Sequence, residues 1–303
     1  MAEAIPPSSD MSADQGLETT SMRLGASASR EGNRWHRAAN ALRCPALLRE
    51  LPAICLTTTP SSVASAAPDG AELHTFHCLH GCPIGAADID DIVVREIYTL
   101  ASNDLTKMAD WVAYRVTPAS IGPSGERRWT ADPWLDPDET LEPGDYEGAP
   151  RALGIDRGHQ APLAGQSGTP FAADTNILSN ITPQGAALNQ GAWQRLEARE
   201  NDLAREENIG VYVLTGPLFE RVVPSMPRAD ERHRVPSGYW KVVATQDGRL
   251  AAFIMDTGAP RTLDHCDART TLEEVELRSR LGLFPRLVTR SFRDLSSGLG
   301  CAS

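Results

Sequence analysis

Two apolar segments, Tyr239 to Ala244 and Leu250 to Asp256, flank the dipeptide Asp247-Gly248. No other local feature constrains the fold as strongly. Asp-Gly accepts the positive φ that a tight two-stranded turn demands, so these segments predict an antiparallel hairpin. Ile92 to Leu100 and Trp111 to Thr117 alternate as strands, and Val211 to Leu214 reads as a buried one. Asn189 to about Glu206 predicts a helix, with Trp193, Leu196 and Leu203 as apolar positions and no Gly or Pro after Gly191. Thr270 with Glu273 makes a capping box that opens a second helix, through Leu281. Hairpin-linked strands with inserted helices predict an α+β fold around an antiparallel sheet. Between Pro118 and Ala152 the Pro-, Gly- and Asp-rich text predicts a long ordered loop, with Trp129, Trp134 and Tyr146 as anchors.

Residues 1–70 read differently. They are rich in Ala, Ser and Pro and hold no strand pattern. Arg34, Arg37 and Arg43 resemble the basic region of an export signal, "CPALLRELPAICL" its apolar stretch, and Ala64-Ser65-Ala66 its cleavage site. Arg49 and Glu50 interrupt that stretch, and a disordered tail is the alternative. Either way the working domain is expected over 71–303, and removal of the leader would take Cys44 and Cys55 with it.

No run of 18 apolar residues occurs, which argues against a membrane-spanning helix. The formal net charge of −11 argues against a nucleic-acid partner at first sight. Net charge describes an average field, however, and a cleft needs only a local basic patch. Arg115, Arg127, Arg128, Arg151 and Arg157 are close enough in sequence to supply one, which predicts binding more salt-sensitive than the net charge implies. "CLHGC" (Cys78 to Cys82) is a poor zinc site, because too few further ligands stand in register.

The chemistry-bearing text is Asp156-Arg157-Gly158-His159-Gln160-Ala161-Pro162, followed downstream by Asn189 and Glu197. An imidazole can deprotonate water near neutrality, and a hard cation held through oxygen can stabilise a phosphorane. Together these are the parts for metal-assisted phosphodiester hydrolysis. A lone His is more often a satisfied buried one. Asn189 alone would be read as a helix cap, and Glu197 as a solvated partner of Arg195 or Arg199.

"DRGHQAPLAG", "NILSNITPQGAALNQGAWQRLE", "WVAYRVTPAS", "TGPLFER" and "PSGYWKV" together resemble the DNA/RNA non-specific endonucleases of the ββα-metal superfamily, such as secreted bacterial sugar-nonspecific nucleases. The resemblance runs from about Cys78 to Cys301. It implies a ββα-metal fold: a central antiparallel sheet flanked by helices, with a long metal-bearing helix. It implies a secreted or periplasmic, Mg²⁺-dependent endonuclease (Mn²⁺ as substitute), a monomer or homodimer, cutting DNA and RNA to 5′-phosphorylated oligonucleotides. It also implies disulfides Cys78–Cys82 and Cys266–Cys301, which belong in an oxidising compartment.

By the same resemblance His159 is the general base, Asn189 a direct ligand of the ion, and Arg127 and Arg157 phosphate holders. Asp156 sits beside the base, and Asn180 is a further polar site residue. Eight residues of ideal helix give ~12 Å of rise and ~80° of rotation, so Glu197 is expected to act on the ion through water. Where related enzymes carry an arginine one turn after that glutamate, this chain has Asn201. A non-catalytic nucleic-acid-binding module of the same fold and a phosphodiesterase for another substrate are the alternatives. The other histidines read as surface or structural, and Trp193, Trp240 and Phe253 as core.

Overall fold

The computed structural model describes residues 73–87, 89–123 and 125–302; the leader reading, with Cys44 and Cys55, lies outside them. β1 (Asp90–Val94), β2 (Tyr98–Asn103) and β3 (Met108–Val116) form a meander. Where the alternation of Ile92 to Leu100 reads as one strand, the chain instead turns back at Arg95-Glu96-Ile97, and Arg95 N–H donates to Tyr98 O at 2.9 Å. That turn uses neither Gly nor Asn, so the sequence carries no signal for it. After the long loop come α1 (Ala149–Leu153), β4 (Ile155–His159), α2 (Leu163–Gln166), β5 (Ile181–Gly185), α3 (Ala186–Leu188) and α4 (Gln194–Glu206). β6 (Val211–Leu218), β7 (Gly238–Thr245), β8 (Arg249–Asp256), β9 (Arg269–Thr270), α5 (Leu272–Ser279) and β10 (Arg293–Asp294) complete the chain.

The main sheet has eight strands in the order β1-β2-β3-β6-β7-β8, with β9 and β10 both on the far side of β8. All its pairings are antiparallel except β10 with β8. β7 and β8 are joined at Asp247-Gly248, where Gly248 takes φ 82°, a value only glycine adopts without strain.

β6 and β7 are buried throughout, because both faces of the sheet are covered. Alternation still sorts their side chains. Tyr114, Tyr239, Val243 and Phe253 pack on one face with Trp193 and Leu196, the face that α4 covers. Trp111, Trp240 and Val242 pack on the other, with Val275 of α5 and Cys78 and Cys82. Full burial of one such large side chain contributes roughly 2–3 kcal/mol.

Disulfides join Cys78 to Cys82 and Cys266 to Cys301. α5 is capped by Thr271, whose hydroxyl accepts from Glu274 N–H at 3.1 Å. The cap thus falls one residue later than the Thr270–Glu273 reading, because Thr270 is held in β9 against Ala252.

Candidate active site

A small second sheet, β4 with β5, carries the motif. Its register sets Asp156 opposite Gln184, Arg157 opposite Pro183 and His159 opposite Ile181. Gly158 is required by close approach: a Cβ there would stand 2.5 Å from Gln184 Oε1. Beyond His159 the chain is braced by Asn180. Its amide donates to Ala161 O (3.0 Å) and Thr175 O (2.8 Å), and its oxygen accepts from Ala161 N–H (2.8 Å). Asn180 is wholly buried and does not line the cavity. Both amide N–H groups of Asn180 and one acceptor position of its oxygen are used on backbone, so Asn180 braces the segment that follows His159.

His159 Nε2 lies 3.1 Å from Asn176 Oδ1. A carbonyl oxygen only accepts, so Nε2 holds the proton and Nδ1 carries the lone pair. Trp129 stacks obliquely on the ring at 5.3 Å. Burial pushes the imidazole down to about 4; the Asn176 hydrogen bond works against that shift and the Arg127 charge adds to it. His159 is thus neutral at physiological pH, the form that accepts a proton.

Asn189 and Glu197 are not on one helix. α3 ends at Leu188, residues 189–193 form a wide π-type turn, and Gly191 leaves helical geometry at φ −118°, ψ −115°. A Cβ on Gly191 would stand 2.8 Å from Arg261 O, so a side chain has no room there. The continuous helix expected from Asn189 to Glu206 is corrected to a kinked one: the break falls at Gly191, the one residue of the segment in non-helical geometry. The kink brings Asn189, on one limb, and Glu197, on the other, to the same cavity.

Asn189 Nδ2 donates to Asp156 Oδ2 at 3.0 Å, and Gln190 Nε2 donates to the same oxygen at 2.7 Å. That bond fixes which end of the Asn189 amide faces Asp156 and turns its carbonyl oxygen away from that carboxylate. Burial raises Glu197 to about 7, with Lys241 lowering it and Glu200 raising it.

The cavity, about 370 Å³, is lined by Arg127, Asp156, Arg157, His159, Asn189, Glu197 and Asn201, among others. Arg127 is exposed. Arg157 lies over Tyr146 (4.9 Å) and near Trp129 (5.6 Å), and Nη2 donates to Pro143 O at 2.8 Å. Of the five arginines expected to form a basic patch, only Arg127 and Arg157 line this cavity. Arg115 lines a different cleft with Phe76 and Phe171, because β3 points it over Tyr212 at 5.1 Å. Asn201 is buried at the wall, with Oδ1 unpartnered.

Sequence reasoning missed Asn176, Gln190 and Lys241. Nothing in local spacing marks them; only Lys241, a charged residue inside an otherwise apolar strand, carried a signal.

An antiparallel strand pair whose first strand ends on a histidine and whose second leads into a kinked helix, with an amide and a carboxylate of that helix lining the same cavity, is the ββα core of a nuclease. The chain belongs to the DNA/RNA non-specific endonuclease family, whose model matches residues 81–287. It is 44% identical over 210 residues to a nuclease of Serratia marcescens, covering 68% of this chain and 79% of that one. It is 31% identical over 293 residues to mitochondrial endonuclease G of Bos taurus, covering 87% and 92%. A chain of the EndoG/EndoGI inhibitor complex superposes with a TM-score of 0.58 at 22% identity, over 67% of this chain and 89% of that one. The fold is therefore shared with that chain. The chain is an endonuclease of this family.

Proposed function

We propose that the protein is an exported, Mg²⁺-dependent endonuclease that cuts both DNA and RNA to 5′-phosphorylated oligonucleotides. The observation that carries this reading is the placement of His159: it lines the cavity beside Asn189 and Glu197, and its Nε2 is held 3.1 Å from the Asn176 carbonyl oxygen, which leaves Nδ1 as the base. Nδ1 takes a proton from the attacking water, the new P–O bond forms, and the P–O3′ bond breaks to leave a 5′-phosphate. Arg127 and Arg157 hold the phosphate, since a guanidinium stays charged and matches two phosphate oxygens at once.

The donor set fits a hard cation. Asp156 occupies the nitrogen end of Asn189 and leaves a neutral carbonyl oxygen, the ligand type Mg²⁺ favours. In this reading Glu197, which lines the same cavity, acts on the ion through water. When bound, such an ion offsets charge on the phosphorane and the leaving oxygen. Contacts to phosphate and sugar carry no base sequence, which accords with low specificity. The two disulfides support an oxidising compartment and hence export.

The test is digestion of plasmid and of total RNA with Mg²⁺ or with EDTA, by the parent and by His159→Ala. Both substrates should be cut only with Mg²⁺, and fragments should accept a 5′-label from polynucleotide kinase only after phosphatase treatment. Full activity in His159→Ala would end the reading, and binding without cleavage by the parent would favour a non-catalytic module.

A further inference from the structure

Lys241 stands in the middle of β7, paired with Thr215 and Phe253. It lies on the face of Tyr239 and Val243, the apolar face that α4 covers. Its side chain is wholly buried. Nζ lies 3.1 Å from Glu200 Oε1, 3.2 Å from Tyr114 Oη and 3.7 Å from Glu197 Oε1, and 4.3 Å from the Trp193 ring. Tyr114 Oη–H donates to Glu200 Oε2 at 2.7 Å. Both oxygens of Glu200 are therefore claimed, and its carboxylate is fixed. Glu197 Oε1 is buried; Lys241 Nζ is the charge that faces it, with the Trp193 indole as a further neighbour of the carboxyl.

Stability is a poor reason for this arrangement. Buried ion clusters lose much solvation, and well-packed apolar replacements are often neutral or better. We propose that Lys241 is a positioning residue: it draws Glu197 Oε1 inward and so presents the other oxygen to the cavity, where water on the cation would meet it. This rests on the reading of Glu197 given above. Glu200 and Tyr114 are the other half of the device, holding the lysine so that its charge cannot follow Glu197 outward.

The test is the Mn²⁺ dissociation constant of the full chain, measured by electron paramagnetic resonance, for Lys241→Met, Glu197→Gln and the double variant. Circular dichroism reports folding. Each single variant should weaken Mn²⁺ binding by about tenfold or more, and the double variant should be within about twofold of Glu197→Gln alone. Unchanged binding in folded Lys241→Met, or single effects that multiply in the double variant, would overturn the proposal while leaving the role of Glu197 intact. Unchanged binding in Glu197→Gln would overturn the reading of Glu197 itself and this proposal with it. If Lys241→Met does not fold, Tyr114→Phe decides: about threefold weaker binding supports the proposal, and unchanged binding removes it.

Discussion

Asp156 Oδ2 accepts the Asn189 amide at 3.0 Å, across the gap between the motif strand and the kinked helix. The motif aspartate thus orients the amide that would hold the cation, and Gln190, bonded to the same oxygen and to Arg261 at 3.0 Å, steadies it.

Replacing Asp156 with Ala frees the Asn189 amide to rotate. Metal affinity or kcat should fall by about 10- to 100-fold, the usual cost of losing a residue that orients a ligand. Gln190→Ala should cost less, because it touches Asp156 and not the cavity oxygen. A titration of activity against Mg²⁺ separates the two, and an Asp156→Ala variant with the parent's Mg²⁺ curve would count against the role.

Asn176 fixes the tautomer of His159. In Asn176→Ala neither ring nitrogen is told to hold the proton, so kcat should fall by about 100-fold with substrate binding little changed. The pH dependence follows from the low position of the imidazole. Burial holds it near 4, and the base works only when deprotonated. kcat/KM should therefore rise with pH through the region of 4 and be flat by neutrality. An acid limb centred at or above the ordinary histidine value would show that the free enzyme does not hold His159 this way.

How far these relationships could be read in advance depended on their range. The hairpin at Asp247-Gly248 was legible because two adjacent residues dictate the turn. His159, Asn189 and Glu197 were singled out through the resemblance of their surrounding text, and the fold brings all three to one cavity. The kink at Gly191 was not legible, because the close approach that excludes a side chain there comes from Arg261, remote in sequence. Lys241 and Asn176 act across the fold for the same reason. The turn at Arg95-Glu96-Ile97 was hidden because side-chain alternation continues through it.

Asp90 and Asp110 share one amide: Asn103 Nδ2 donates to Asp90 Oδ1 at 3.0 Å and to Asp110 Oδ2 at 3.2 Å. Burial and the neighbouring Asp110 push Asp90 up to about 8, and Asp110 is raised as well, chiefly by burial. A carboxyl whose folded value lies above its unfolded one binds its proton more tightly when folded. Its contribution is therefore complete below about 4 and is lost as pH rises toward 8. Asp110→Asn removes the repulsion. Its melting temperature should exceed the parent's at pH 8, with the gap closing at pH 4. An equal gap at both pH values would mean the pair does not interact as described.

The Cys266–Cys301 bond closes a loop with a sequence separation of 35. In the chain-entropy model that constraint on the unfolded chain contributes about 4 kcal/mol, so Cys266→Ala with Cys301→Ala should lower the denaturation midpoint substantially. The bond also has a local consequence. The segment it anchors packs on α4: Gly300 lies against Arg199, and Gly298 lies against Leu203, with its Cβ position 3.2 Å from Leu203 Cδ1. α4 carries Glu197, so loosening its outer face should disturb the site before the sheet unfolds. In the double-alanine variant, activity should therefore decline on heating at a lower temperature than the bulk loss of circular dichroism. Cys78–Cys82 spans a sequence separation of only 4 and packs on the opposite face, with Leu283 and Phe284. Its removal should lower stability less and leave the two transitions coincident. Running both double variants side by side makes the comparison internal. Coincident transitions in both would show that the C-terminal bond stabilises the fold without supporting the site.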